Sequence, residues 1–255
     1  MELRTIVDTS RQVGAASGRL EKIGQLARCL AVCEPASVPT AVALLAGQPR
    51  QRRVGVGWAA LRAARAGTAA SAPTLSLAEL DAILDRFVAI SGKGAAGERA
   101  RLLQELFGRA TGEEQDFLAR LLLGELRQGA LEGLMVEAVA KAAALPVADV
   151  RRAVMVAGDV GAVAEAALRE GAAGLQRFAI ALFRPLQPML AQPAEGIADA
   201  LAQLGRAALE HKLDGARIQA HKDPLFSRLL IMSSIYMMIS TLIRKLCSML
   251  TIFQV

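Results

Sequence analysis

Cysteine, histidine and aromatic side chains are scarce in this chain, and each scarcity removes a class of function. Its 255 residues hold three cysteines and two histidines. Cys29 and Cys33 stand four apart and are expected on one helix, and Cys247 lies near the end, while His211 and His221 are not at ligand spacing to any of them. That pattern excludes a zinc module and a disulfide framework. The odd thiol count, with no secretory or targeting pattern at the N-terminus, fits a reducing cytoplasm. The apolar run between Arg228 and Arg244 has about fifteen residues, broken by Ser233, Ser234, Ser240 and Thr241. A bilayer span needs roughly 20, so stable membrane association is not expected.

What is present favours helices. The composition is 53% hydrophobic but only 4% aromatic, which indicates a core rich in alanine and leucine. Ser76-Leu77-Ala78-Glu79 and Thr111-Gly112-Glu113-Glu114 are capping boxes, in which a hydroxyl and a glutamate satisfy orphan amides at a helix start. Apolar residues then recur at three and four, as Leu80, Ile83, Leu84 and Phe87 and as Phe117, Leu118, Leu121 and Leu122. Further helices are expected from about Gly18 to Ala31, Ser37 to Ala46, Trp58 to Arg65, Gly97 to Phe107, Leu131 to Ala143, Val147 to Val156 and Val160 to Glu170. Ala64 to Pro73 reads as a surface loop, and no strand-period run appears before about residue 208. Trp58, the only tryptophan, is expected to pack in the core.

One short segment carries chemistry. Glu210-His211-Lys212-Leu213-Asp214-Gly215-Ala216-Arg217 contains Lys-x-Asp-Gly-x-Arg, the nucleophile motif of enzymes that carry a nucleotide monophosphate on lysine. A lysine attacking a phosphate must be neutral, although free lysine titrates near ~10.4, so its pocket must favour the amine. Asp214-Gly215 is a turn dipeptide that reverses the chain after Lys212. Arg217 then lies on the returning strand, where its forked donors suit a ribose or phosphate oxygen. Glu210 is two residues before Lys212 and shares its face on a strand, whereas His211 points the other way and is read as packing.

Upstream stand Arg184-Pro185-Leu186-Gln187-Pro188-Met189-Leu190-Ala191 and a short amphipathic helix, about Ala194 to Arg206. This order resembles the approach to the nucleotidyltransferase domain of ATP-dependent DNA ligases. Phrases in the helical part are similar to the N-terminal DNA-binding domain of bacterial, especially actinobacterial, members. They are Thr9-Ser10-Arg11 with Arg19-Leu20 and Lys22-Ile23; Gln48-Pro49-Arg50 with Val54-Gly55-Val56-Gly57-Trp58; Gly124-Glu125-Leu126-Arg127-Gln128-Gly129-Ala130; and Gly158-Asp159-Val160 with Ala164. The matches span about residues 5 to 222.

The resemblance implies a mainly α chain in three parts: an all-helical DNA-binding domain over 1–184, the first elements of an α/β nucleotidyltransferase (adenylation) domain over 185–223, and an unrelated apolar tail over 224–255. It implies ATP and Mg²⁺ as cofactors and nicked double-stranded DNA as partner, engaged by a monomer. Lys212 would be the adenylated nucleophile, with Glu210 and Arg217 on the nucleotide. No residue is assigned as a metal ligand.

Charge gives a physical account of DNA binding beside the resemblance. Net charge is +6, but Arg228, Arg244 and Lys245 in the tail contribute three of those charges, so the body is mildly basic. Binding then depends on placement. Arg50, Arg52 and Arg53 stand beside the Gly55/Gly57 loop, Arg127 is beside Gly129, and Arg151 adjoins Arg152. Glycine beside arginine lets backbone amides approach phosphates without reading sequence. Arg50, Arg53, Arg127 and Gly129 are the expected DNA contacts.

The tail departs from the rest. From Pro224 to Val255 there is no alanine, glycine, aspartate or glutamate, and Ile231, Ile235, Ile239 and Ile243 repeat at four, an apolar stripe if helical. The change reads as a disrupted reading frame or gene truncation. The family's downstream metal-binding carboxylates, phosphate-holding lysines and base-stacking aromatic are not recognisable here, so these residues alone are not expected to seal nicks. Two other readings stand beside the ligase: a non-catalytic DNA-binding helical module, and a membrane-associated protein using the isoleucine stripe.

Overall fold

The computed structural model describes residues 1–52, 54–126, 132–187, 194–206, 218–222 and 227–231. They fall into two compact units, Met1–Phe178 and the part from Ala179 onward. In the first unit the helices are α1 (Leu3–Ala15), α2 (Arg19–Ala31), α3 (Val38–Leu45), α4 (Trp58–Ala64), α5 (Leu77–Ala89), α6 (Ala95–Arg109), α7 (Gly112–Leu123), α8 (Glu132–Ala142), α9 (Val147–Ala157) and α10 (Val160–Gln176). The second unit holds α11 (Ile197–Leu204) and the strands β1 (Ile218–Lys222) and β2 (Ser227–Ile231). The chain is mainly α, as its composition implies.

Local polar chemistry sets where helices begin. Both capping boxes form: the Glu79 backbone amide donates to the Ser76 hydroxyl at 3.2 Å and the Ser76 amide to the Glu79 carboxylate at 3.0 Å. At α7 the Thr111 amide donates to Glu114 at 2.8 Å and the Glu114 amide to the Thr111 hydroxyl at 3.5 Å. Asp159 caps α10 by accepting from the Ala162 amide at 3.1 Å. Within α10, Gly171 takes φ 62° and ψ −140°, so its regular helix ends at Glu170, where periodicity also ended it.

Helix α1 is absent from the sequence-based expectation. Its N-cap Glu2 makes no side-chain cap and no acid stands in its first turn, so no start signal precedes it. Thr9 and Ser10 interrupt its apolar face yet are buried. Thr9 satisfies its hydroxyl by donating to the Thr5 carbonyl at 2.8 Å. Long-range backbone bonds hold the helix start: the Leu3 amide donates to the Leu75 carbonyl at 2.8 Å and the Leu77 amide to the Met1 carbonyl at 3.0 Å. Tertiary pairing supplies what a cap would.

Packing follows the apolar faces. α2 lies on α1 and α8, α10 lies on α3 and α9, and α4 lies on α6. Leu3, Ile6, Leu26, Leu30, Leu44, Leu45, Leu80, Leu102, Phe107 and Leu118 are wholly or almost wholly buried. Two expectations change. Cys33 lies past the end of α2 rather than on it, and both it and Cys29 are buried free thiols. Trp58 is 65% exposed, because α4 buries Leu61 and Ala64 and turns its first residue outward.

In the second unit β1 and β2 pair antiparallel, with Ile218 opposite Ile231 and His221 opposite Arg228. Ile231, the first member of the four-residue stripe, therefore belongs to a strand, and the rest of the stripe lies outside the described residues. Among the described residues no helix is long and apolar enough to cross a membrane.

The α5 cap makes stability depend on pH. Glu79 is held down from 4.5 to about 2, first by the hydrogen bond with the Ser76 hydroxyl, then by the Ser76 amide and by Arg109. A carboxyl more acidic in the folded state stabilises it fully above pH 4.5 and loses that contribution as pH falls toward 2. In denaturant unfolding at stepped pH, Glu79→Gln is expected to lose less stability across that window than the parent. Superimposable curves would refute the assignment.

Candidate nucleic-acid interface and lysine motif

Loops that begin at two helix ends carry the expected phosphate contacts, and a glycine brings those beginnings together. Gly47, just after α3, has φ +84°, and a Cβ placed there would stand 2.6 Å from the Leu126 carbonyl oxygen. Gly47 precedes Gln48–Arg53, and Leu126 precedes Arg127–Gly129. Only a residue without a side chain fits this approach. Gly124 supports the second loop by taking φ 72° as the C-cap of α7. Arg53, Arg127 and Gly129 themselves lie outside the described residues.

Arg50 is engaged within the protein. Its Nε donates to both Asp81 oxygens at 3.1 Å, and its Nη2 reaches Asp85 at 2.5 Å. Gln51 donates to the same two carboxylates at 2.9 and 2.8 Å. The Asp81 hydrogen bond is the first of the causes that push Arg50 further up, so it stays charged while paired. Arg50 thus ties its loop to α5. Arg52, two residues on, is exposed at φ 60° and has no ion pair among the described residues.

Other basic residues divide in the same way. Arg151 shares Glu137 with Arg19, at 3.9 and 2.6 Å, while Arg152 is exposed and unpaired among the described residues. Sequence reasoning missed Arg28 on α2 and Lys141 on α8. A Cβ built on Gly24 would lie 3.7 Å from Arg28 Nη1 and 3.8 Å from Lys141 Nζ, so two exposed cations converge on one glycine with no ion pair among the described residues. No local signal could have found them, because they stand on different helices.

The phrases noted in sequence also build joints. Gly158 closes α9 at φ 69° and Asp159 opens α10. Gly57 is the N-cap of α4. Arg11 pairs with Asp8 at 3.0 Å and Glu113 at 3.3 Å, and borders a groove of about 410 Å³ between α1 and α7 whose Glu113 and Asp116 are both ion-paired.

Lys212, Glu210 and Arg217 lie outside the described residues, as does His211. Their flanks are described. β1 starts directly after Arg217, and Gln219 clamps the Leu186 backbone, accepting from its amide at 2.9 Å and donating to its carbonyl at 2.7 Å. His221 Nδ1 accepts from the Phe183 amide at 2.9 Å, with the two rings 6.3 Å apart. The Arg184–Gln187 phrase is therefore bound to the strand that leaves the lysine motif. Among the described residues no cluster of three metal-ligating side chains occurs.

Comparison with known proteins agrees with this architecture. Residues 61–140 match the family model described as DNA ligase N terminus. A protein named "Probable DNA ligase" from Anaeromyxobacter sp. (strain Fw109-5) is 58% identical over 224 residues, covering 88% of this chain and 43% of the relative. Proteins of the same name from Sorangium cellulosum (strain So ce56) and Rhodococcus jostii (strain RHA1) are 52% and 48% identical, over 87% and 86% of this chain and 42% and 43% of their own length. The chain thus spans less than half the length of these curated relatives.

The Gly47 contact gives a stability test. Gly47→Ala adds a clash and a left-handed strain, expected to cost about 1–3 kcal/mol, read as a lower thermal midpoint; an unchanged midpoint would show the two loops are not held there. With residues 61–140 matched by the DNA ligase N terminus model and 86–88% of the chain matched at 48–58% identity by proteins named "Probable DNA ligase", this chain is similar to DNA ligases over most of its length.

Proposed function

We propose that the chain represents the DNA-binding body and nucleophile segment of an ATP-dependent DNA ligase, which seals nicks in duplex DNA during replication, repair and recombination. One observation carries the reading: a 58% identity match over 224 of 255 residues. A window of that length necessarily includes positions 210–217, so it supports reading the lysine motif and the helical body as one ligase lineage.

In this reading the Lys212 Nζ attacks the α-phosphorus of ATP, forms a lysine–AMP bond and displaces pyrophosphate. AMP then passes to the 5′-phosphate of the nick, and the 3′-hydroxyl attacks that phosphate as AMP leaves. Glu210 and Arg217 hold the nucleotide, and Mg²⁺ supplies positive charge to the triphosphate. Arg53, Arg127 and Gly129 take the duplex backbone, with Arg50 fixing the loop that carries Arg53. Such a protein acts as a monomer in the cytoplasm.

A second reading has its own support. The carboxylates, lysines and aromatic that complete a nucleotidyltransferase pocket are not recognisable in these 255 residues. We infer that these residues by themselves bind nicked duplex without forming the adduct. The test incubates the purified chain with radiolabelled ATP, Mg²⁺ and nicked duplex. Expected is salt-dependent retention of duplex and no labelled protein. A stable lysine adduct or a sealed strand would overturn the inactive reading, and failure to retain duplex would overturn the DNA-binding one.

A further inference from the structure

Trp58 opens α4 with its side chain in solvent. α4 buries Leu61 and Ala64 and presents Trp58, Ala59, Arg62 and Ala63 to the outside. A solvated helix face is normally polar and mixed in charge. This one is apolar and cationic only, since Trp58 and Arg62 are one turn apart and share a side. In the first unit Leu20 at 80% and Val32 at 72% are barer still, but each has an acid within two positions, Glu21 and Glu34.

Charge around α4 is one-sided over a long stretch. Between Glu34 and Glu79 there is no aspartate or glutamate, while Arg50, Arg52, Arg53, Arg62 and Arg65 all fall there. Neighbouring helices neutralise two of them: Asp81 and Asp85 take Arg50, and Asp116 takes Arg65. Arg52 and Arg62 have no ion pair among the described residues. The face therefore combines an aromatic plate, a smooth alanine surface and uncompensated guanidinium charge.

We infer that this face of α4 docks on the sugar–phosphate backbone of duplex DNA, with Trp58 laid against a deoxyribose and Arg62 on a neighbouring phosphate. The occupant follows from charge complementarity. A polyanion whose sugars are apolar and whose phosphates recur matches an apolar surface edged by arginine, and such contacts position a protein without reading bases. Ala59 and Ala63 are short enough to let the helix approach closely. The inference deepens the proposed DNA-binding function and rests on it.

Trp58 is the sole tryptophan, so its emission reports this face alone. The full chain is titrated with nicked duplex while acrylamide quenching of Trp58 and the retention of duplex are followed. Duplex is expected to shield Trp58 from acrylamide. Trp58→Ala is expected to weaken binding about tenfold and Trp58→Phe to recover most of it. Arg62→Gln is expected to lower the slope of log affinity against log salt by about one. Because both side chains are exposed, the variants should keep the parent melting temperature. If the chain binds duplex but Trp58 stays equally quenchable and Trp58→Ala binds as the parent does, this inference fails and the DNA-binding reading survives. Absence of any duplex binding overturns both. Shielding that grows with protein concentration without DNA overturns the inference in favour of a second copy of the chain.

Discussion

Close approach of helix backbones, permitted by small side chains, is the constraint on which the helical body depends. Ala41, Ala138, Ala140, Ala164 and Ala167 are buried between helices, and a Cβ on Gly161 would come within 3.1 Å of the Pro39 Cα. Where backbones meet this closely, leucine, isoleucine and valine from the flanking turns fill the remaining space at interior density. Few aromatics are needed. Helix positions in turn fix the ends from which the basic loops leave, so the Gly47–Leu126 approach is a consequence of core packing rather than of loop preference.

Ion pairing then sorts the surface. Arg4, Arg11, Arg19, Arg50, Arg65, Arg101, Arg109 and Arg169 each meet a carboxylate. Exposed pairs of this kind add little to stability. Their larger consequence is electrostatic: a paired arginine presents little net charge to an incoming anion. Arg28, Lys141, Arg52, Arg62 and Arg152 stand outside that pairing among the described residues, and the positive potential of the body comes from such groups.

Legibility in sequence tracked the range of the interaction involved. The capping boxes at Ser76 and Thr111 and the break at Gly171 were readable, because each is settled by residues three or four positions apart. α1 was not, since its start is held by backbone bonds to Leu75 and Leu77 rather than by a cap. Trp58 was read as core on residue type alone, yet α4 packs on α6 and buries Leu61 and Ala64 instead. Arg50 looked available beside its glycines, and its partners sit 31 and 35 positions away.

By itself, then, the sequence determined that the body is helical and where most helices start and stop, and it set Lys212 and Arg217 in a Lys-x-Asp-Gly-x-Arg pattern, with Glu210 two residues before it, that we propose serves nucleotidyl transfer. These rest on periodicity, hydrogen bonds within one turn and residue identity, all local. Only the tertiary structure decided which arginines are already neutralised, that Arg28 and Lys141 converge over Gly24, and that Trp58 faces outward. Net charge at a point on a surface is a sum over groups brought together from distant parts of the chain. Folding sets that sum, and no neighbouring residue in the sequence records it.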